Sequence, residues 1–472
     1  MNKIIGLFIV VLISCFCDGN AKVLEEGYDI TIQINNIKDT VAYLGYNFGD
    51  QKFVKDTSQV FDDGVLRFNG SEDLTEGIYF IYTPSIYFEL IANERAFTIE
   101  TDTLDFIRNM RIKNSPENDV FNQFQRFMAD KQKESLVFTN KLNSLNPQND
   151  SSEIRQVREQ VLAIRDEIEK FQIDLAQEHK GLFVAQLLMA MQKPKVPGNP
   201  SDDGQVVDKN FQFFYYKEHF FDNFDLSSSG LLRTPLYQPK IDEYLDKLTF
   251  QHPDSIKKAA DYLLSLSESN QETFRYIMVK LTTKYETSKV MGMEEVFVYL
   301  AENYYLTGKA FWADEDLVEK FRNRVNELKP NLIGAIAPDM ILLDTLMRKV
   351  QLSQLESRFI VLYFYDPDCG HCKKTTPVLY ELYKKIKGKG VEVMAACTVT
   401  DIEKWKKYVR TNKLDWVNVS DPYYKSNFRA EYDIKTTPVI YILNNEKEII
   451  AKRLGVEQIE DFIDRMIEFE EG

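Results

Sequence analysis

Cysteine is scarce in this chain, with 5 in 472 residues, and two of them, Cys15 and Cys17, fall close to the start. So few thiols exclude a disulfide-stapled scaffold. Histidine is scarcer still, with 4 in all. His179, His219 and His252 are scattered far from His371, so no second ligand pair stands near Cys369 and Cys372 to complete a zinc site. No Gly-rich phosphate loop occurs, which argues against a bound nucleotide or flavin. No cofactor and no metal is expected. An excess of positive charge is also missing. The chain carries 58 Lys and Arg against 73 Asp and Glu, for a net charge of -15, which argues against nucleic acid and reads as a solvated surface. After Ile13 no uninterrupted apolar run approaches the ~18 residues that a membrane-spanning helix needs.

What is present is ample core-forming material, 44% hydrophobic, enough for about three domains at usual domain sizes. The organisation expected is a signal peptide at 1–21, a β-rich domain at 22–112, a helical domain at 113–330 and an α/β domain at 331–472. Met1 to Ala21 combines an early Lys, an apolar run from Ile4 to Ile13 and small residues at Gly19 and Ala21, the pattern of a cleaved secretory signal. Leu12-Ile13-Ser14-Cys15 also resembles a lipobox, which would make Cys15 an acylated anchor. Either reading places the protein outside the cytoplasm, in the periplasm or cell envelope, without a membrane span.

From Tyr28 to about Thr101, apolar residues alternate with polar ones, as in Tyr28, Ile30, Ile32 and Ile34. Period two means half-buried strands. Turn signals at Asp63-Gly64, Asn69-Gly70 and Glu76-Gly77 separate them and predict a small antiparallel sheet or sandwich. After Ser115-Pro116-Glu117 the period changes to three and four, predicting one helix through Leu145 and a second from Ser151 or Ser152 to Leu175. The short Asn146–Asp150 connection makes these a helical hairpin with a coiled-coil-like seam, loosened where Lys131 and Ser135 interrupt it. A Pro/Gly-rich loop spans Lys193–Gln205. The aromatic run from Phe211 to Phe224 is expected to be a helix buried on several sides. Further helices are expected at Asp254–Ser267, Glu272–Tyr285, Glu294–Leu306 and Asp314–Leu328.

Past Lys329-Pro330, strands alternate with helices. A lead-in strand at Ile341–Leu343 is followed by strands at Phe359–Tyr365, Val391–Cys397, Trp416–Val419, Val439–Leu443 and Glu448–Leu454. Helices follow Cys372 and span Asp401–Thr411, Tyr423–Tyr432 and Glu457–Phe469. This is an α/β sandwich about a central sheet. Its chemistry lies at Cys369-Gly370-His371-Cys372, where the Phe359–Phe364 run meets a helical pattern. The spacing puts both sulfurs on the first helical turn, where free N–H groups and the macrodipole favour a thiolate. Cys369, the outer thiol, is the expected nucleophile, and Cys372 the thiol that resolves a mixed disulfide. Cys397 ends an apolar strand and reads as a buried thiol.

Residues 331–472 resemble the thioredoxin superfamily, and within it the exported TlpA-like and ResA-like thiol-disulfide oxidoreductases. The residues that carry the likeness are the Cys369–Cys372 motif after a strand, the lead-in from Ile333-Gly334 to Ala337-Pro338-Asp339, and Thr437-Pro438 before an apolar strand. The resemblance implies that Pro438 is a cis-proline facing the dithiol and that an extra strand and helix lie between Val391 and Val419. It also implies that Thr437 and Pro438 dock substrates mainly through main-chain groups. The expected partners are protein thiols or disulfides and a protein that supplies or accepts electrons. Two departures stand out. Asp368 replaces the usual tryptophan and would disfavour the Cys369 thiolate, while a cationic His371 would favour it. Tyr363 stands where many thioredoxins bury an acid, and Asp401 or Glu403 is a candidate acid in the inserted region. Direction of electron flow stays open, because His371 fits an oxidant and the TlpA-like pattern a reductant. The upstream two thirds resemble regions that precede thioredoxin domains in envelope proteins of the Bacteroidota. A second class also fits: an envelope interaction protein whose thioredoxin-like module is a redox-controlled dock. A peroxiredoxin-type peroxidase fits poorly, since Tyr365-Asp366-Pro367-Asp368 lacks the Thr that precedes a peroxidatic cysteine.

Overall fold

The computed structural model describes residues 26–61, 63–146, 150–197 and 210–471. Met1–Ala21 with Cys15, and parts of the Asn146–Asp150 and Lys193–Gln205 connections, lie outside the described residues. The described residues divide between two compact units, those within Met1–Lys193 and Ser229–Tyr237, and those within Pro194–Ser228 and Gln238–Gly472. The sequence division at 112 and 330 follows changes of secondary structure, whereas packing parts the helical stretch between the units.

The first unit holds a β-sandwich. Strands β1 (Tyr28–Asn35), β2 (Val41–Phe48), β3 (Gln51–Gln59), β4 (Val65–Gly70), β5 (Gly77–Tyr82), β6 (Tyr87–Ala92), β7 (Ala96–Asp102) and β8 (Arg111–Lys113) form two sheets. Their orders are β4-β1-β7-β8 and β3-β2-β5-β6. The alternating residues of β1 supply one face of the core: Ile30, Ile32 and Ile34 are fully buried, with Ile30 opposite Phe68 and Phe97, and Ile32 opposite Leu66 and Ile99. One pairing departs from the antiparallel expectation. β1 and β7 run parallel, a long-range closure that period-two alternation does not encode. Gly64 turns the chain at φ +77, and a Cβ there would lie 2.3 Å from the Ile34 carbonyl oxygen, so the Asp63-Gly64 turn needs glycine.

Helix Pro116–Ser144 starts where Ser115-Pro116 predicted, with the Ser115 hydroxyl accepting the Asn118 N–H at 3.1 Å. Its partner, Ser151–Glu178, packs beside it, and Phe127 stacks on Phe171 with ring centroids 3.8 Å apart. Past Lys131, which pairs with Glu134 and Glu167, the seam opens and Leu136 is 58% exposed. Glu117 is buried and accepts the Phe183 and Val184 N–H groups at 2.7 and 2.8 Å. It thereby caps helix Phe183–Ala190 from a distant point in sequence.

Helices Tyr237–Asp246, Pro253–Ser267, Gln271–Glu286, Glu294–Leu300 and Glu315–Leu328 precede the α/β domain. The helix expected at Glu294–Leu306 widens into a π-turn over Ala301–Tyr305. The aromatic run corrects the expectation of burial on several sides. Phe220, Phe221 and Phe224 are buried, but no residue of helix Phe211–Glu218 is, and Phe214 is 56% exposed.

The α/β domain is built on a seven-stranded sheet of order β10-β9-β13-β12-β11-β14-β15. Its strands are β9 (Ile341–Asp344), β10 (Lys349–Gln351), β11 (Phe359–Tyr365), β12 (Val391–Cys397), β13 (Val417–Ser420), β14 (Val439–Asn444) and β15 (Ile449–Lys452). Every residue of central β11 is buried, as its unbroken apolar run implies. Tyr363 and Tyr365 face the core beneath the dithiol helix Gly370–Ile386, and Leu362 and Phe364 the core on the other side. β12 and helix Ile402–Asn412 lead into β13, which places a strand and helix between Val391 and Val419. The helix expected at Tyr423–Tyr432 shrinks to Phe428–Glu431. The Asp421 carboxylate takes the Lys425 and Ser426 N–H groups and Tyr424 adopts φ +52, which ends any helix there. Among the described residues no helix is long and apolar enough to cross a membrane. The chain thus combines an N-terminal β-sandwich, a helical region and a C-terminal thioredoxin-like α/β fold.

Candidate functional site

β11 delivers the chain from the sheet core into Asp366–Cys369, and Cys369 becomes the cap of the dithiol helix with φ -63 and ψ 123. Its carbonyl accepts the Lys373 N–H at 3.0 Å, while its sulfur sits over the unpaired N–H groups of the first turn. Both thiols of the motif are free. Cys369 is half-buried and Cys372, one turn deeper, has no exposed surface.

The two sulfurs are tuned apart. The Cys372 backbone N–H holds the Cys369 thiol below its ordinary range, partial burial opposes it, and the Cys372 thiol and the His371 backbone N–H add to the lowering. Burial pushes Cys372 the other way, up to about 11, although the Asp366 N–H reaches its sulfur at 3.5 Å. The sequence weighed the charges of Asp368 and His371 against one another. The Asp368 carboxylate instead pairs with Lys404, and the lowering comes mainly from main-chain dipoles of the helix start.

Thr437-Pro438 is a cis peptide bond, and the Cys369 thiol donates to the Thr437 carbonyl at 3.2 Å. The structure therefore brings together Cys369, Cys372, Thr437 and Pro438, with Asp368 and His371 exposed at the rim. Asp401 caps helix Ile402–Asn412 by accepting the Lys404 N–H, the ordinary reading of that residue. Cys397 is fully buried opposite Tyr365, and burial raises its thiol to about 12.

Three features were not read from the sequence. Beneath the motif, the Tyr363 hydroxyl shares a 2.8 Å hydrogen bond with the Thr376 hydroxyl, which also accepts from Tyr408 at 3.0 Å, so neutral hydroxyls occupy the place of the usual acid. Lys404 is the second, meeting Asp368 across the inserted helix. The third is a groove of about 470 Å³ running past Pro438, lined by Lys374 and Val378 of the dithiol helix, by Thr436, Val439 and Ile440, and by residues 453–457. Each joins residues far apart in sequence, where spacing gives no signal.

A free dithiol at a helix start after the central strand, facing a cis-proline, defines the thioredoxin-like oxidoreductases. Residues 333–452 match the AhpC/TSA family; the chain is a thioredoxin-like thiol-disulfide oxidoreductase. Upstream, residues 163–328 and 28–121 match two domains of unknown function, DUF5106 and DUF4369. Thiol-disulfide oxidoreductase ResA of Bacillus cereus is 26% identical over 137 residues, covering 28% of this chain and 78% of ResA. A crystallised domain of a possible thiol-disulfide isomerase from Cytophaga hutchinsonii is 37% identical, with 30% of this chain and 97% of that domain covered and a TM-score of 0.29. A thioredoxin-like protein from Bacteroides caccae is 20% identical over 57% of this chain and 96% of its own, with a TM-score of 0.47.

Proposed function

We propose that this protein is an exported thiol-disulfide oxidoreductase that exchanges disulfides with protein substrates through Cys369 and Cys372. The observation that carries the reading is the opposed tuning of two adjacent free thiols, Cys369 held low and half-open, Cys372 raised to about 11 and buried. In the reductive direction the Cys369 thiolate attacks one sulfur of a substrate disulfide. A Cys369–substrate disulfide forms and the first substrate thiolate leaves, to be protonated by solvent. Cys372 then loses its proton and attacks the Cys369 sulfur, closing the Cys369–Cys372 disulfide and expelling the second substrate thiolate. Two electrons pass to the substrate, and a dithiol partner returns the oxidised protein to its starting form. Run backwards, the same steps oxidise a substrate.

Substrate docks at Thr437 and Pro438, where a main-chain carbonyl already lies 3.2 Å from the attacking sulfur, so an extended segment is placed through its backbone. His371 and Asp368 frame that opening. Export rests on the signal-like Met1–Ala21 segment, with acylation at Cys15 as its alternative outcome, and the domain division at 22–112, 113–330 and 331–472 is part of the same reading. The test is reduction of insulin disulfides by the full chain with dithiothreitol as electron source. Wild-type protein accelerates the reaction and Cys369→Ser abolishes the acceleration; equal rates for the two would refute the proposal.

A further inference from the structure

The helical stretch that precedes the thioredoxin-like domain within the second unit grips both walls of the groove beside Pro438. One wall is the segment leading into Thr437-Pro438. There the guanidinium of Arg324, on helix Glu315–Leu328, forks onto the Asp433 carboxylate with contacts of 2.8 and 3.2 Å. Glu286 and Glu327 lie on the same guanidinium at 3.3 and 2.8 Å, and Lys435 closes the network at 3.3 Å from Asp433. The Asn331 amide donates to the Glu431 carbonyl at 2.5 Å. The other wall begins at Lys452, next to the groove-lining Arg453. Lys452 is 2% exposed and pairs with Glu294, 4% exposed, and its ammonium also donates to the Asn331 carbonyl at 2.5 Å.

These are not surface ion pairs of small effect. The Arg324 side chain is 17% exposed and that of Asp433 7%, and the fork is bidentate, a geometry that fixes orientation as well as distance. Replacing a buried charge pair by apolar residues is often neutral or stabilising, whereas removing one partner is costly, so the weight here falls on the orientation the fork imposes on Asp433. Asp433 itself sits at φ +47, a left-handed conformation at the point where the chain turns toward Thr437.

We propose that Arg324 is a positioning residue for protein substrates: by holding Asp433, it sets where the Thr437-Pro438 segment stands relative to Cys369. The proposal rests on the reading that substrate docks at Thr437-Pro438, and it gives the 286–331 stretch a task in substrate binding. Arg324 touches neither sulfur, and the Cys372 backbone N–H that chiefly holds the Cys369 thiol low belongs to the dithiol helix, so the chemistry of the dithiol reaches Arg324 only through the smaller Thr437 contribution.

The experiment compares full-length wild type, Arg324→Met and Arg324→Lys. Each is assayed with insulin and with a small aromatic disulfide that needs no extended docking, and the pH profile of Cys369 alkylation is recorded. Arg324→Met raises KM for insulin about 10-fold with kcat within about twofold, since small displacements of a docking group are costly. Its rate with the small disulfide stays within about twofold of wild type, and its Cys369 profile shifts upward only by what the Thr437 contact contributes, the larger lowering by the Cys372 N–H being kept. Arg324→Lys, which restores charge without the fork, recovers part of the KM. Because Lys435 stays beside Asp433, the carboxylate is not stranded in Arg324→Met; should that variant still fail to fold, Asp433→Asn is assayed the same way and shows the same KM rise. An unchanged insulin KM in a folded variant overturns the proposal, as does an equal loss on both disulfides. A wild type that reduces neither disulfide would sink the dithiol reading itself, a different failure.

Discussion

The opposed tuning of Cys369 and Cys372 can be read directly from alkylation rates. The reduced protein is treated with iodoacetamide across pH 6 to 11, and each thiol is followed by mass spectrometry of its peptide. Cys372 stands at about 11, so at pH 7 it is thiolate to about one part in 10⁴; Cys369, held below 9.0, exceeds about one part in 100. Ionisation alone therefore favours Cys369 by at least about 100-fold. Intrinsic nucleophilicity rises with basicity, by about threefold per pKa unit, and two units return about tenfold to Cys372. The net preference is at least about tenfold for Cys369, and the lack of any exposed Cys372 surface enlarges it. As pH rises, the Cys369 rate passes its inflection below pH 9 and then levels off, while the Cys372 rate keeps climbing toward its inflection at about pH 11. Labelling of both thiols at one rate at pH 7, or a Cys369 inflection at or above 9, would refute the reasoning.

Lys452→Met alone leaves the Glu294 carboxylate buried without its ammonium partner and lowers unfolding stability by about 3–5 kcal/mol, while Lys452→Met with Glu294→Leu recovers most of the loss; urea melts that show the double variant as weak as the single would contradict this. Tyr363→Phe removes the 2.8 Å bond to Thr376 but leaves Thr376 its Tyr408 donor. A loss of about 1 kcal/mol is expected from denaturant unfolding, and a loss above about 3 would mean the hydroxyl does more than pair. Ser115→Ala removes the cap of helix Pro116–Ser144 together with the Ser115–Glu94 bond, lowering stability by about 1–2 kcal/mol; an unchanged thermal midpoint would argue against that cap.

The parts of the fold that local chemistry dictates were legible. Ser115-Pro116 marked a helix start, the alternation in β1 marked a half-buried strand, and the unbroken apolar run of β11 marked the strand that feeds the dithiol helix. The dithiol at a helix start was legible for the same reason, being written in a few adjacent residues, whereas the cis bond at Pro438 followed from the family resemblance. What escaped depends on groups that meet only after folding. Parallel pairing of β1 with β7 joins the two ends of the sandwich. The Tyr423–Tyr432 helix yields to a carboxylate, Asp421, that competes for its N–H groups. Phe213 and Phe214 read as core by composition yet lie exposed on a helix with no buried face. Lys404, which engages Asp368, and Arg324, which holds Asp433, are ordinary helical residues until the chain brings their partners to them.

The most direct test of the account is the adduct formed when Cys372→Ser and Cys369→Ser proteins are each mixed with a protein disulfide and resolved by mass under non-reducing conditions. Attack by Cys369 and release by Cys372 predict a persistent mixed disulfide, mapped to Cys369, in the first variant and none in the second. An adduct on Cys372, or no adduct in either, would contradict it.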